Sequence, residues 1–136
     1  GVSEKDIEEL DYIDYALDQK TEAIIQDWTE YLQIQDVVNN VKIGDLSFFN
    51  DNEKAIKLLL KELKANIPEA VKATSIEARL LVVETKLYKL ESLSNLSTTG
   101  KKELLTTIEE FLVAFSNLNL QINKKVEFDT RIIERP

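Results

Sequence analysis

Asp11, Asp14 and Asp18 stand three and four residues apart, a spacing that stacks three carboxylates along one side of a helix. Carboxylates arranged this way are the hard oxygen ligands that calcium and magnesium take. A calcium site, however, draws on roughly six or more oxygens, commonly from a folded loop, and no EF-hand-like loop occurs here. Paired carboxylates for glycoside cleavage would have to come from separate elements, and no cleft pattern supports such a pair. The favoured reading of the three aspartates is a solvated acidic face.

A second group of polar residues interrupts apolar seams. Asp14 and Thr21 fall in the seam of the first amphipathic segment, and Asn119 falls between Phe115 and Ile122 in the last. Arg79 is the only arginine before residue 131, and it sits beside the run Leu80–Val83 in a chain that otherwise prefers lysine. A guanidinium can bury its stem and hold a carboxylate in two places, which lysine cannot. Arg79, Asn119 and Tyr88 could therefore line a polar pocket for a small apolar or anionic molecule. The favoured alternative is an internal polar network that fixes helix register, or side chains at the bundle edge, and Arg79 is expected to pair with an acidic residue of a neighbouring helix, the first before the others.

Other chemistries fall away by residue type. The chain has no cysteine, histidine or methionine, which removes thiol and imidazole catalysis, disulfides, zinc fingers and iron–sulfur clusters. Histidine-containing di-iron motifs of helical bundles go with them. No glycine loop of the phosphate-cradling kind is present. No catalytic residue, metal ligand or cofactor site is assigned, and a non-enzymatic protein is expected.

Charge is uneven. Residues 1–53 carry 14 acidic and 3 basic side chains, against 11 acidic and 14 basic over 54–136. A net charge of −8 argues against nucleic acid as a partner, because phosphate binding needs clustered lysine and arginine. The acidic first third either docks a basic partner or complements the more basic remainder of its own chain, and the second reading is the commoner one.

The elements that must position these residues read as helices. With 136 residues, 43% of them apolar and only 3 glycines and 2 prolines, the composition fits one globular all-α domain spanning residues 1–136. Ile7, Leu10, Leu17, Ile24, Trp28, Tyr31 and Val38 recur at helical spacing, predicting one helix from about residue 4 to about residue 33, with Ser3 as its N-cap and Asp6 a carboxylate in its first turn. Residues 36–46 break the pattern and predict a loop. Ile56, Leu59, Leu60, Leu63 and Ile67 mark a second helix, capped near Asn50 or Asp51 and stopped at Pro68.

Thr74 and Glu77 have capping-box spacing before a third stripe of Ile76, Leu80, Val83, Leu87 and Leu90. The last helix opens near Lys101 with Leu105, Ile108, Leu112, Phe115, Ile122 and Val126 in its seam, and Arg131–Pro136 reads as a frayed end. Four such helices on short connections predict an antiparallel up-down-up-down bundle, or three helices if Pro68 only kinks one long middle helix. The expected core includes Leu10, Leu17, Ile24, Trp28, Leu59, Leu63, Leu80, Val83, Leu87, Ile108, Leu112, Phe115 and Ile122.

Two stretches carry a resemblance: Ile67-Pro68-Glu69-Ala70-Val71 through Ile76-Glu77-Ala78-Arg79-Leu80-Leu81-Val82-Val83-Glu84-Thr85, and Phe115-Ser116-Asn117-Leu118-Asn119-Leu120-Gln121-Ile122-Asn123-Lys124-Lys125. They are similar to small exported, often lipid-anchored helical proteins of the Bacteroidota, and cover about a third of the chain. The resemblance implies a lipid-modified cysteine upstream and a place at the bacterial cell envelope, in the periplasm or on the outer membrane. A chain without methionine that begins Gly1-Val2-Ser3-Glu4 is itself expected to follow a removed targeting segment or tag. No apolar run approaches the roughly 18 residues that span a bilayer.

The functional expectation is a non-catalytic helical module that binds another protein through a helix face. Phe48-Phe49 and Val37-Val38 are candidate apolar contacts outside the bundle, if they do not simply cap the core. The alternative is a small-ligand-binding bundle with a polar interior pocket.

Overall fold

The computed structural model describes residues 1–134. Among them lie six α-helices, two short 3₁₀ turns and no strand. The helices are α1 (Glu4–Glu8), α2 (Gln19–Ile24), α3 (Thr29–Lys42), α4 (Glu53–Ala65), α5 (Thr74–Ser94) and α6 (Lys101–Glu134). The 3₁₀ turns are Ser47–Phe49 and Glu69–Val71.

The single helix expected over residues 4–33 does not form. α1 ends at Glu8, residues 10–18 run without helical bonding, and α2 and α3 follow as separate helices. Ser3 still caps as expected: its hydroxyl accepts from the Asp6 amide while the Asp6 carboxylate accepts from the Ser3 amide. Leu17, Thr21, Trp28 and Tyr31 all reach the interior, but from three different segments rather than from one helical stripe. Asp11-Tyr12-Ile13-Asp14-Tyr15 consists of weak helix formers, so little opposes an uncoiled path once another element supplies the hydrogen bonds.

The loop expected over 36–46 is mostly helix. Tyr31, Ile34, Val38 and Val41 carry one buried stripe through it, with Val37 beside them, and Asn39 and Asn40 face solvent. α3 closes with a Schellman motif: Gly44 N–H donates to Val41 O (2.9 Å) and Asp45 N–H to Asn40 O (2.9 Å). Gly44 takes φ +85, and a Cβ there would come within 3.1–3.2 Å of backbone atoms of Val2, Ser3 and Glu4. The glycine thus both ends α3 and admits the N-terminal chain beside it.

Pro68 ends a helix rather than kinking one. α4 stops at Ala65, the turn Glu69–Val71 follows, and α5 opens at Thr74, so no continuous middle helix exists. Two expected caps are absent. Asn52 precedes α4 and Ala73 precedes α5, neither with a side-chain capping bond, and Thr74 lies inside its helix. α6 continues through the end expected to fray, with Arg131 paired to Glu127 one turn back; Arg135 and Pro136 lie outside the described residues.

The core follows the α5–α6 seam, where Ile76, Leu80, Val83, Leu87 and Leu90 meet Ile108, Phe111, Leu112, Phe115, Leu118 and Ile122. Trp28 stacks on Tyr31 (centroids 5.4 Å apart) and Tyr31 on Phe115 (5.6 Å), tying α3 to α6. The Trp28 indole N–H donates to Leu63 O (3.1 Å), satisfying a carbonyl near the end of α4. Of the expected core, Leu10 and Leu59 are only partly buried and Ile24 is 38% exposed. Ile24 is displaced because α2 turns Thr21 and Ile25 inward instead.

Candidate functional site

The segment from Glu9 to Asp18, here called the strap, lies against α6 and is held there through its own backbone. Ser116 Oγ accepts from the Tyr15 amide (2.8 Å) and donates to Ile13 O (2.6 Å). Asn119 Nδ2 donates to Tyr15 O (2.9 Å). Asn123 Nδ2 donates to Ala16 O (2.9 Å), and its Oδ1 accepts from the Asp18 amide (2.9 Å). These three residues fall at helical spacing on one face of α6 and span roughly 10 Å of helix. About three residues of drawn-out chain cover the same length, which matches the stretch between Asp14 and Leu17. The strap runs in the same sense as α6.

The orientation of Asn119 follows from its partners. A carbonyl only accepts, so the amide nitrogen must face Tyr15 O, leaving Oδ1 to accept from the Tyr31 hydroxyl (2.6 Å). Ser116 and Asn119 are buried, as is Tyr31, so each of these bonds replaces hydration lost on folding. Burial pushes the Tyr31 phenol well above its usual range, reinforced by the charge of Glu22.

Strap side chains contribute less. Leu17 is buried and Leu10, Tyr12 and Tyr15 are partly so, while Asp11, Ile13, Asp14 and Asp18 are exposed. Asp14 pairs with Lys42 of α3 (2.6 Å) across an accessible surface. Upstream, Asp6 pairs with Lys101 at the start of α6 (3.0 Å). The Ser3 amide and then Lys101 hold the Asp6 carboxyl down at about 2. Partial burial, with the charge of Asp14, pushes Tyr12 up to about 12.

The chain matches no family model, no curated protein and no solved structure.

What the site can do therefore rests on its own geometry. The three aspartates are not stacked on a helix: Asp11 and Asp14 lie on the strap, and Asp18 precedes α2 without making a capping bond. Among the described residues no three acidic side chains come together as a cation cage would require. The expected link between Arg79 and an acidic residue of the first helix is not made. Arg79 is half-buried on α5, and no ion pair or hydrogen bond joins its side chain to any described residue. Asn119 is committed to Tyr31 and Tyr15, and Tyr88 is half-buried on α5, so the three groups proposed for a polar pocket do not converge.

Two open grooves lie side by side on the surface near the end of α6. One of about 330 Å³ is lined by Asp18, Lys20, Thr21, Asn123 and the last turns of α6, and one of about 450 Å³ adjoins it at Ile24, Ala70 and Ile133. Val37, Val38 and Phe49 are buried and Phe48 half-buried, so those pairs cap the core and offer no outlying apolar contact.

Sequence reasoning singled out Asn119 but missed Ser116 and Asn123. The available signal was their spacing. Ser116, Asn119 and Asn123 are short polar residues at three and four, in a helix whose inward positions are otherwise apolar apart from Thr107. Such a polar stripe inside an apolar face points to a backbone that must be satisfied.

Proposed function

We propose that the chain is a non-catalytic helical module that binds another protein, with the strap as its docking element. One observation carries this reading: Asp11 and Asp18 are exposed and make no ion pair with any described residue, on a segment that α6 pins by its backbone and Lys42 holds at Asp14, so the two carboxylates are displayed from a positioned chain. A basic surface on the partner complements them, and the exposed Ile13 adds an apolar contact among the charges. The body behind the strap is read as an antiparallel up-down-up-down bundle of α3, α4, α5 and α6. Several contacts support that topology. Trp28 at the start of α3 meets Leu63 near the end of α4, Asn95 after α5 bonds Phe49 and Asp51 before α4, and Lys86 on α5 pairs with Glu110 on α6.

The test replaces Asp11 and Asp18 by asparagine, leaving Asp14 on Lys42, and compares proteins cross-linked to the two forms in envelope extracts. Loss of the captured set, with the circular dichroism spectrum unchanged, supports the strap as the docking element. An unchanged set overturns it.

Placement at a bacterial cell envelope, tethered by an upstream lipid, rests on the resemblance of residues 67–85 and 115–125. The full reading frame tests it. A charged segment, an apolar segment and a cysteine ahead of Val2 support the tether, and a start methionine directly before Val2 overturns it.

A further inference from the structure

The face of α6 formed by Ser116, Asn119 and Asn123 recognises main chain. Every polar contact it makes to the strap goes to a peptide N–H or C=O, at Ile13, Tyr15, Ala16 and Asp18. A surface of this kind does not distinguish the strap of its own chain from the same segment of another molecule. We propose that it is an exchange site: the N-terminal arm, residues 1–18, of one copy can occupy α6 of a second copy, reciprocally, in a linked dimer.

A second copy is the occupant that the remaining contacts select. Leu17 must reach a buried position, Asp14 must meet Lys42, and Asp6 must meet Lys101. The spacing of those three side chains along the arm matches the spacing of their sites on the body, which a foreign extended segment reproduces only by accident. Charge points the same way. The arm holds seven acidic residues and one basic, and both cations that grip it, Lys42 and Lys101, belong to the body.

The junction is suited to opening. α2 is six residues long and lacks a side-chain cap at Asp18, so releasing the arm at that point sacrifices little helix. Exchange leaves the set of contacts unchanged between closed monomer and linked dimer, apart from the junction itself. The balance is then set by concentration against the effective concentration of the tethered arm, on the order of millimolar for a short flexible tether.

The ion pairs supply the readout. A zero-length carbodiimide cross-linker joins Asp14 to Lys42 and Asp6 to Lys101 within one chain in the monomer, and between chains after exchange. Unlabelled and heavy-nitrogen-labelled full chains are mixed equally, unfolded, refolded together at roughly 1 mM and at about a hundredth of that, and then cross-linked and digested. The expected result is a dimer at the higher concentration. In that dimer, both arm–body links contain mixed isotopes in the proportion random pairing gives, while the Lys86–Glu110 link within the body keeps one isotope. At the lower concentration all three links keep one isotope. Single-isotope arm–body links at both concentrations overturn the proposal. So does a dimer whose arm–body links stay unmixed, which is association through another surface, and so does mixing of the Lys86–Glu110 link.

Discussion

The N-terminal arm and the α5–α6 hairpin are built on opposite principles. In the hairpin, each helix satisfies its own backbone, and apolar side chains such as Leu80, Leu87, Ile108 and Leu112 hold the two together. In the strap five backbone groups, the Tyr15 and Asp18 amides and the Ile13, Tyr15 and Ala16 carbonyls, are bonded by side chains of α6, and Leu17 is the one buried apolar group between Glu9 and Asp18. The first arrangement is stabilised by removing apolar area from water, the second by directional bonds to groups that would otherwise be left dry and unpaired. A contact made by area tolerates small shifts in geometry, whereas one made by five hydrogen bonds fixes position and releases as a unit.

The sharpest way to weigh the two regions is to damage each. Leu112→Ala in the hairpin should cost about 2–5 kcal/mol in chemical denaturation, because a buried leucine leaves a cavity that two long helices cannot close. A change within about 0.5 kcal/mol would mean that the hairpin is not the main source of stability.

Asn119→Ala should cost less, about 1–3 kcal/mol, since it strands the Tyr31 hydroxyl and Tyr15 O in a buried site. Its effect should also be local. Hydrogen exchange at the Tyr15 and Asp18 amides should accelerate while the middle of α5 keeps its protection. Equal acceleration in both places would show that strap and hairpin open together.

Smaller effects come from titration, and both fall on the arm. The Asp6 carboxyl is depressed from 3.8 to about 2, so its contribution is present above pH 3.8 and is lost as pH falls towards 2. Tyr12 is raised from 10.0 to about 12, so the unfolded chain loses that proton first and stability declines as pH climbs from 10 towards 12. Amide exchange of the arm across both ranges measures this. An arm equally protected at pH 2 and pH 6 would remove Asp6 from the attachment.

The smallest effect is expected at Arg79, where removal to alanine should change stability by no more than about 0.5 kcal/mol, because the side chain is half-buried and pairs with no described residue. A loss of several kcal/mol would place a partner there.

Much of the hairpin was legible in the sequence, and little of the arm. Ile76 to Leu90 and Ile108 to Ile122 repeat at helical spacing because those helices bury one face against each other, and periodicity reports that situation directly. Asn95, Ser97, Thr98, Thr99 and Gly100 are turn-forming residues between the two stripes. From the arm into α2, Ile7, Leu10, Leu17 and Ile24 also repeat, yet no helix spans them. Periodicity records which residues are apolar, not which element satisfies the backbone between them, and no proline or glycine in residues 9–18 announced the change. Asn39 and Asn40 misled in the other direction: they are turn-forming residues that sit on the wet side of α3 while Val37, Val38 and Val41 fill the dry side. The candidate site was half visible, since Asn119 stood out in its seam, but its partners are peptide groups of the strap, and a peptide group has no letter in a sequence.

The main-chain grip on the strap sets how its sequence can drift. Ser116, Asn119 and Asn123 serve whatever side chains pass across them, so Ile13 and Ala16, which make no side-chain bond, are open to replacement by nearly any residue that tolerates a drawn-out backbone, whereas Asp14 is held to its type by Lys42. Proline marks the boundary of that freedom. At Tyr15 or Asp18 it would delete the N–H that Ser116 or Asn123 receives, whereas the amides of Ile13 and Ala16 donate to no described residue and proline there removes no donor in use. Over many substitutions the strap can therefore acquire a new surface while its seat on α6 and the fold stay the same.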